Sequence, residues 1–377
     1  MAERLVLIAA GGTGGHLFPA EALASVLDRL GVATALVTDE RAHGFVSSFP
    51  EDDTYQIPAA TPSGRSPLDK LSALVTLGRG VMAARALIKE LRPAAVVGFG
   101  GYPTVPPMLA ASMARVPTII HEQNAVIGRA NRFLAKRMRT IATGFREVKG
   151  LPAEFADKQV HVGNPVREIA LQASARPYPP ALKGGKLRLV VFGGSQGARV
   201  MSDIVPVAIE RLPGEALRRI VVVQQAREED LLRVRAQYAR MGIEADVQPF
   251  FKELPSRIAE SHLVIARSGA STVAELAVIG RPSLLVPLPG SLDQDQAANA
   301  ASLAEIGAAT VIPQQEFTPE RVRAEILARL SDPEGLTKAA EAAKSAGIPD
   351  AAERLAAIVI AAARITLRRA ATAEVSS

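Results

Sequence analysis

Short apolar runs alternate along this chain with longer stretches in which apolar residues recur roughly every three to four positions. The runs are Leu5–Ala9, Ala33–Thr38, Ala95–Val97, Pro117–Ile120, Leu187–Phe192, Arg219–Val223, Leu263–Ala266 and Ser283–Val286, and glycine clusters follow several of them. An unbroken apolar run suits a strand buried on both faces, whereas a stripe of helical period suits a helix lying on a sheet. The alternation therefore predicts an α/β protein in which helices cover both faces of parallel sheets.

Two units are similar to each other. Arg4–Ala10 leads into Gly11-Gly12-Thr13-Gly14-Gly15-His16, and Lys186–Phe192 leads into Gly193-Gly194-Ser195-Gln196-Gly197-Ala198, each reading as strand, glycine turn and helix. One stands near the start of each half, which predicts two doubly wound, Rossmann-like domains facing one another. The boundary falls near Val162-Gly163-Asn164-Pro165, giving domains at 1–163 and 164–349, with Ala173–Lys186 reading as a linker or exposed loop. After the break at Gly347-Ile348-Pro349, residues 350–371 read as a helix that continues past the second domain and packs back on the first.

A chain of 377 residues with 48% apolar content supports two cores. The net charge of +6 is dilute and tryptophan is absent, which argues against nucleic acid as a partner. With 0 cysteines, disulfides, thiolate metal sites and cysteine nucleophiles are excluded. The first apolar run is too short for a signal peptide and no apolar stretch reaches the roughly 18 residues of a membrane span, so membrane contact is expected to be peripheral.

Glycines after a strand let backbone approach a phosphate, and the next helix start offers free N–H groups and a positive dipole end. Leu17 stands where the dinucleotide fingerprint needs its third glycine, and no Gly-Lys-Ser/Thr follows either loop. Neither NAD nor a P-loop nucleotide is supported. Gly98-Phe99-Gly100-Gly101-Tyr102 is a third glycine cluster after a strand. His121-Glu122-Gln123-Asn124 places polar groups at the carboxyl end of a buried strand, where open α/β sheets bind ligands, although the same residues could cap the helix at Ile127–Leu134. In the second half, Arg267-Ser268-Gly269 and the helix start behind it suit a diphosphate. Glu275 suits a vicinal diol such as ribose, against the alternative of a solvated helix residue, and the amides around Gln296 suit sugar hydroxyls.

These motifs, with Gly163-Asn164-Pro165-Val166-Arg167, resemble in order the MurG family of bacterial glycosyltransferases. The resemblance implies a GT-B fold with the active site between two Rossmann-like domains, no cofactor and no metal. It implies inverting transfer of GlcNAc from UDP-GlcNAc to the C4 hydroxyl of the muramoyl sugar in lipid I, forming lipid II and UDP. Carried over by motif, Ser195 meets the diphosphate, the Phe251 backbone meets uracil, and Ala270, Ser271, Thr272 and Glu275 meet diphosphate and ribose. Gln296 meets the GlcNAc hydroxyls, and Thr13, Gly14, Gly15, Asn124 and Arg167 complete the donor site. The family's Asp-Asp-His-Gln run reads Asp293-Gln294-Asp295-Gln296 here. An inverting step needs a base, for which His16 and Glu122 are both candidates. A UDP-GlcNAc 2-epimerase shares the fold and donor chemistry, and a non-catalytic membrane recruiter is a third reading.

Expected partners are UDP-GlcNAc, lipid I, anionic lipids of the cytoplasmic membrane surface and proteins of cell-wall synthesis. Leu68–Leu91 carries Leu71, Leu74, Val75, Leu77, Val81 and Met82 among Lys70, Arg79 and Arg85, predicting an apolar face with a basic rim. Arg129, Arg132, Lys136, Arg137 and Arg139 crowd a second basic segment. A core-facing helix with solvated charges is the competing reading.

Overall fold

The computed structural model describes residues 5–11, 13–39, 49, 53–59, 67–194, 197–291 and 294–367, with main chain alone at 67–71. The first sheet contains β1 (Val6–Ala9), β2 (Thr34–Thr38), β3 (Thr54–Gln56), β4 (Ala95–Gly98), β5 (Thr118–Glu122), β6 (Thr140–Thr143) and β7 (Gln159–His161). The second contains β8 (Leu187–Phe192), β9 (Ile220–Gln225), β10 (Glu244–Gln248), β11 (Leu263–Ala266), β12 (Ser283–Leu285) and β13 (Ala309–Val311). Helices of the first half are α1 (Gly14–Arg29), α2 (Pro67–Leu91), α3 (Val105–Met113) and α4 (Arg129–Ala135). Then come α5 (Glu168–Ser174), α6 (Arg199–Glu210), α7 (Gly214–Leu217), α8 (Glu228–Met241) and α9 (Leu254–Ala259). The chain continues with α10 (Ala270–Ile279), α11 (Asp295–Ala304), α12 (Pro319–Ser331), α13 (Pro333–Ser345) and α14 (Ala351–Ala363).

The sheet orders are β3-β2-β1-β4-β5-β6-β7 and β10-β9-β8-β11-β12-β13. Each sheet starts from its own glycine-tipped strand and reverses direction beside it, the doubly wound order that leaves a crevice at the switch point. All pairings are parallel, with Ala9 opposite Gly98 in one sheet and Phe192 opposite Ala266 in the other. The alternation of strand side chains divides each core in two. Val6 and Ile8 join Leu23 and Leu27 on one face of the first sheet, and Leu7 joins Met108 and Ile120 on the other. In the second sheet Leu189 and Val191 face α6, α8 and α12, while Val190 and Phe192 face α9, α10 and α11.

Three expectations change. Five strands lack a counterpart among the predicted runs, namely β3, β6, β7, β10 and β13, and apart from Ile141 and Ala142 of β6 they are short, polar or half-exposed. The last helix ends at Ala363, where Arg364 turns left-handed at φ 52°, rather than reaching residue 371, and residues 368–377 lie outside the described residues. On α2, Leu77 and Val81 pack inward while Leu74, Val75 and Met82 are exposed, so the expected single apolar face is split. Leu71 and Lys70 have no described side chains.

The chain passes from one sheet to the other at Gly163–Arg167 and returns through α14. α5 lies against α9 and α10, and Val166 and Ala170 pack on Val278. α14 buries Leu355, Ala356 and Val359 in the first domain's core beside α1.

Candidate active site

At the first switch point, β1 and β4 emit adjacent glycine loops, tied where the Phe99 N–H donates to the Ala9 carbonyl at 2.8 Å. Gly100 and Gly101 take φ of +89° and +77°. A Cβ on either would sit 3.3–3.5 Å from the His16 ring, so glycine there both permits the turn and seats the imidazole. His16 itself is one turn into α1, half-buried, with its N–H donating to the Thr13 carbonyl at 3.0 Å.

Between the two sheets lies a cavity of about 820 Å³. Thr13, Gly14, Gly15 and Phe18 line it from the first domain. Facing them are Gly193, Gly194 and Gly197 after β8 and Ala270, Ser271 and Thr272 at the start of α10. The amides of those three residues precede the first helical bond of α10, from Val273 N–H to the Gly269 carbonyl at 3.0 Å, and are available to an anion. Gly193 has no alternative in this loop, because a Cβ would lie 2.2 Å from the Ala198 nitrogen. Gln225 braces it, accepting from Gly193 N–H at 3.1 Å and donating to the Pro249 carbonyl at 3.2 Å. Arg167, Arg199, Arg227 and Arg267 also line the cavity, against the single carboxylate of Glu275. Four guanidinium groups and a helix N-terminus give it a positive potential suited to a diphosphate.

All four arginines are engaged: Arg227 donates to the Gly197 carbonyl at 3.3 Å and Arg199 pairs with Asp203 at 3.6 Å, while the other two are held more extensively. Arg267 donates to the Val286 and Pro287 carbonyls at 3.0 and 3.1 Å and to Gln314 Oε1, fixing the loop after β12. Arg167 donates from Nε and Nη2 to one oxygen of Glu275 at 3.1 and 2.9 Å, and its guanidinium lies 4.2 Å from the Phe18 ring centre. Glu275, expected to face a ribose, is thus joined to the last residue of the crossover. Gln296 Oε1 accepts from Leu288 N–H at 3.0 Å, and Asp295 Oδ1 accepts from Gln296 N–H at 2.7 Å in the first turn of α11. Phe251 is buried in the cavity wall. Ser195 lies outside the described residues.

The His121–Asn124 segment is an anchored scaffold. Glu122 is buried, and its Oε1 accepts from the backbone N–H and side chain of Asn124 while Oε2 accepts from Gly128 N–H and Asn131. Burial pushes its carboxyl above the ordinary value, opposed by the N–H groups of Asn124 and Gly128. Asn124 does not line the cavity, and its Oδ1 accepts from Asn299 Nδ2 at 3.0 Å. Asn299 is fully buried and also accepts from Ala125 N–H at 2.8 Å, tying the two domains together. Gln123 Oε1 lies 3.2 Å from His16 Nδ1, and Gln123 Nε2 lies 3.1 Å from His121 Nδ1. His121 Nε2 is 2.9 Å from the Gly163 carbonyl. Burial pushes His121 down to about 4, so it is neutral near pH 7.

The structure therefore brings Thr13, Gly14, Gly15, Arg167, Phe251, Ala270, Ser271, Thr272, Glu275 and Gln296 around one cavity, whereas His16 is not among its lining residues, although its neighbours Gly15 and Phe18 are. Glu122 and Asn124 stand behind the cleft wall. Phe18, Gln225 and Asn299 were not singled out from the sequence. Phe18 follows the first glycine loop by two residues and Asn299 follows Gln296 by three, whereas Gln225 ends an apolar strand with nothing local to mark it.

Two Rossmann-ordered domains with glycine loops facing across a cleft define the GT-B fold. The C-terminal and N-terminal domains of glycosyltransferase family 28 match residues 188–355 and 6–143. The chain is 60% identical over 362 residues, covering 96% of it and 97% of the relative, to the UDP-N-acetylglucosamine–N-acetylmuramyl-(pentapeptide) pyrophosphoryl-undecaprenol N-acetylglucosamine transferase of Methylobacterium nodulans. It is 55% identical to the enzyme of the same name from Rhodopseudomonas palustris over 355 residues, 94% of this chain and 97% of the relative. The crystal structure of Acinetobacter baumannii MurG superposes with a TM-score of 0.75 at 29% identity, covering 94% of this chain and 99% of that one. A UDP-GlcNAc 2-epimerase from Neisseria meningitidis shares the fold, with a TM-score of 0.64 at 13% identity over 95% of this chain and 100% of that one. The chain belongs to the MurG family of N-acetylglucosamine transferases, within glycosyltransferase family 28.

Proposed function

We propose that this protein transfers GlcNAc from UDP-GlcNAc to the C4 hydroxyl of the muramoyl sugar of lipid I, forming lipid II and UDP. The observation that carries the reading is one cavity lined both by a cationic second-domain wall and by Thr13, Gly14, Gly15 and Phe18, the first-domain residues that flank His16. The name shared by the relatives at 55–60% identity supports the same transfer.

In the reading, the donor diphosphate lies against the α10 N-terminus and the glycine loop after β8. The ribose diol meets Glu275, and the GlcNAc hydroxyls meet Gln296. His16 takes the proton from the acceptor C4 hydroxyl as that oxygen attacks the anomeric carbon from the face opposite UDP, which inverts the linkage. The bond to the diphosphate breaks, and its electron pair leaves with UDP, whose charge is stabilised by the helix start and the cavity arginines. Glu122, with both oxygens occupied by N–H donors, supports the loop rather than taking the proton.

Among the described residues no helix is long and apolar enough to cross a membrane. The acceptor's lipid nevertheless requires a membrane surface, and the first domain supplies a candidate face. Leu74, Val75, Met82, Met113 and Phe133 are large exposed apolar residues of α2, α3 and α4. Arg132, Lys136, Arg137 and Arg139 are exposed in and after α4. Docking by this face on anionic lipid at the cytoplasmic side is part of the proposal.

Acceptor-dependent release of UDP tests the reading. Wild type should release UDP from UDP-GlcNAc only when a lipid I analogue is present, and His16→Ala should lower turnover by roughly 10²–10⁴-fold, the usual contribution of a general base. Turnover near wild type in folded His16→Ala would remove the base assignment.

A further inference from the structure

The hydrogen bonds behind His16 form a chain with one direction. It begins at the crossover, where the Gly163 carbonyl can only accept, so His121 Nε2 at 2.9 Å carries the proton. A neutral, fully buried His121 then has a bare Nδ1, which needs a donor and finds Gln123 Nε2 at 3.1 Å. The same Gln123 nitrogen donates to the His121 carbonyl at 3.0 Å, which allows only one orientation of the amide. Gln123 Oε1 therefore faces His16 Nδ1 at 3.2 Å as an acceptor, and His16 must place its proton on Nδ1. Its Nε2 is left with the lone pair and has no hydrogen-bond partner among the described residues.

We infer that Gln123 is a positioning residue that holds His16 in the Nδ1–H tautomer, with the tautomer dictated through His121 by the Gly163 carbonyl. This rests on the assignment of His16 as base and adds what makes that base competent. A histidine accepts a proton only through a bare nitrogen directed at the substrate, and a partner that accepts from the opposite nitrogen supplies that state. Gln123 is buried and is absent from the cavity wall, so its effect on turnover has to pass through His16. The anchoring also has a second strand, because Asn164 Nδ2 donates to the Gln123 carbonyl at 2.9 Å. The first two residues of the crossover, Gly163 and Asn164, thus set the geometry of the segment that orients the base.

The test uses the full-length enzyme labelled with ¹⁵N in its histidine rings, of which the chain has 5. His16 resonances are identified by their loss in His16→Ala, and long-range ¹H–¹⁵N spectra report which nitrogen bears hydrogen. The wild type should show His16 protonated at Nδ1 and bare at Nε2. In Gln123→Met, nearly isosteric and without the amide, His16 should become a mixture of tautomers. Its kcat should fall about 10- to 100-fold, less than the ~10⁴-fold of a triad forced into the wrong tautomer, with KM for UDP-GlcNAc within about twofold of wild type. A His16 ring protonated at Nε2 in the wild type overturns the inference whether or not the variant folds. So does a kcat within about twofold of wild type in Gln123→Met while His16→Ala is inactive. Wild-type turnover in His16→Ala instead overturns the base assignment, a separate and recognisable failure.

Discussion

Glu275 is buried against Arg167 with one oxygen engaged, so the donor reading makes the ribose diol a partner added to a carboxylate already held in place. Removing that carboxylate forfeits charge-assisted hydrogen bonds, and Glu275→Ala should lower kcat/KM for UDP-GlcNAc by about tenfold or more. Unchanged donor kinetics in the folded variant would remove Glu275 from the donor site. His121 makes a second residue-scale prediction. Its folded value of about 4 lies below the ordinary 6.5, so between those values the unfolded chain binds a proton that the folded chain refuses. Its contribution to stability is complete above about pH 6.5 and declines as the pH falls towards 4, by roughly 2 kcal/mol between pH 6.5 and 5. Urea unfolding across that range should show the decline, and His121→Gln should show a shallower one. His161 and His262, also lowered by burial, act in the same direction in both proteins. An identical slope would contradict the burial argument. The sequence places His121-Glu122-Gln123-Asn124 at a strand end, yet the partners that distinguish scaffold from base come from elsewhere. Asn131 and Asn299 decide what Glu122 and Asn124 can do, and no local pattern announces either.

Helix ends explain a cation with no carboxylate partner. Arg281, following the left-handed Gly280, donates to the carbonyls of Ala259, Ile279, Gly280 and Pro177. It thereby gathers the C-termini of α9 and α10 and the chain leaving α5. Lys344 adds donors to the Ser174 and Val278 carbonyls at 2.8 and 2.7 Å. Arg281→Met would strand several buried carbonyls and lose the charge at converging helix dipoles, costing about 3 kcal/mol in urea unfolding. Donor KM should be unchanged, and a loss below about 0.5 kcal/mol would show the carbonyls to be otherwise satisfied. Gly280-Arg281-Pro282 is readable as a helix stop, but the convergence of three helices on one side chain is a product of packing. Strand length set a similar limit. Apolar runs such as Leu263–Ala266 identify themselves, whereas Thr54–Gln56 and Gln159–His161 are polar three-residue pieces at the edges of the sheet, recruited by their neighbours.

On the scale of the molecule, the paired glycine loops led from sequence to two domains and a cleft, because a strand ending in glycine encodes both switch point and phosphate site locally. The ties of Asn299 to Asn124 and Ala125, which cross between the domains, and of Arg167 to Glu275 join residues more than a hundred positions apart and required the fold. The proposed membrane face belongs to this scale too. Anionic headgroups attract each near-surface Lys or Arg by about 1 kcal/mol, so reversing Arg132, Lys136 and Arg137 to Glu should weaken binding to phosphatidylserine vesicles at low salt. Transfer to a soluble short-chain acceptor should be little affected, and unaltered vesicle binding would assign docking to another surface. The central claim is the transfer itself, and one NMR spectrum of the products of UDP-GlcNAc and a lipid I analogue tests it most directly. The account predicts a β-linked GlcNAc on the muramoyl C4 oxygen, formed mole for mole with UDP. An α linkage, or conversion of the donor to the C2 epimer without any disaccharide, would contradict it.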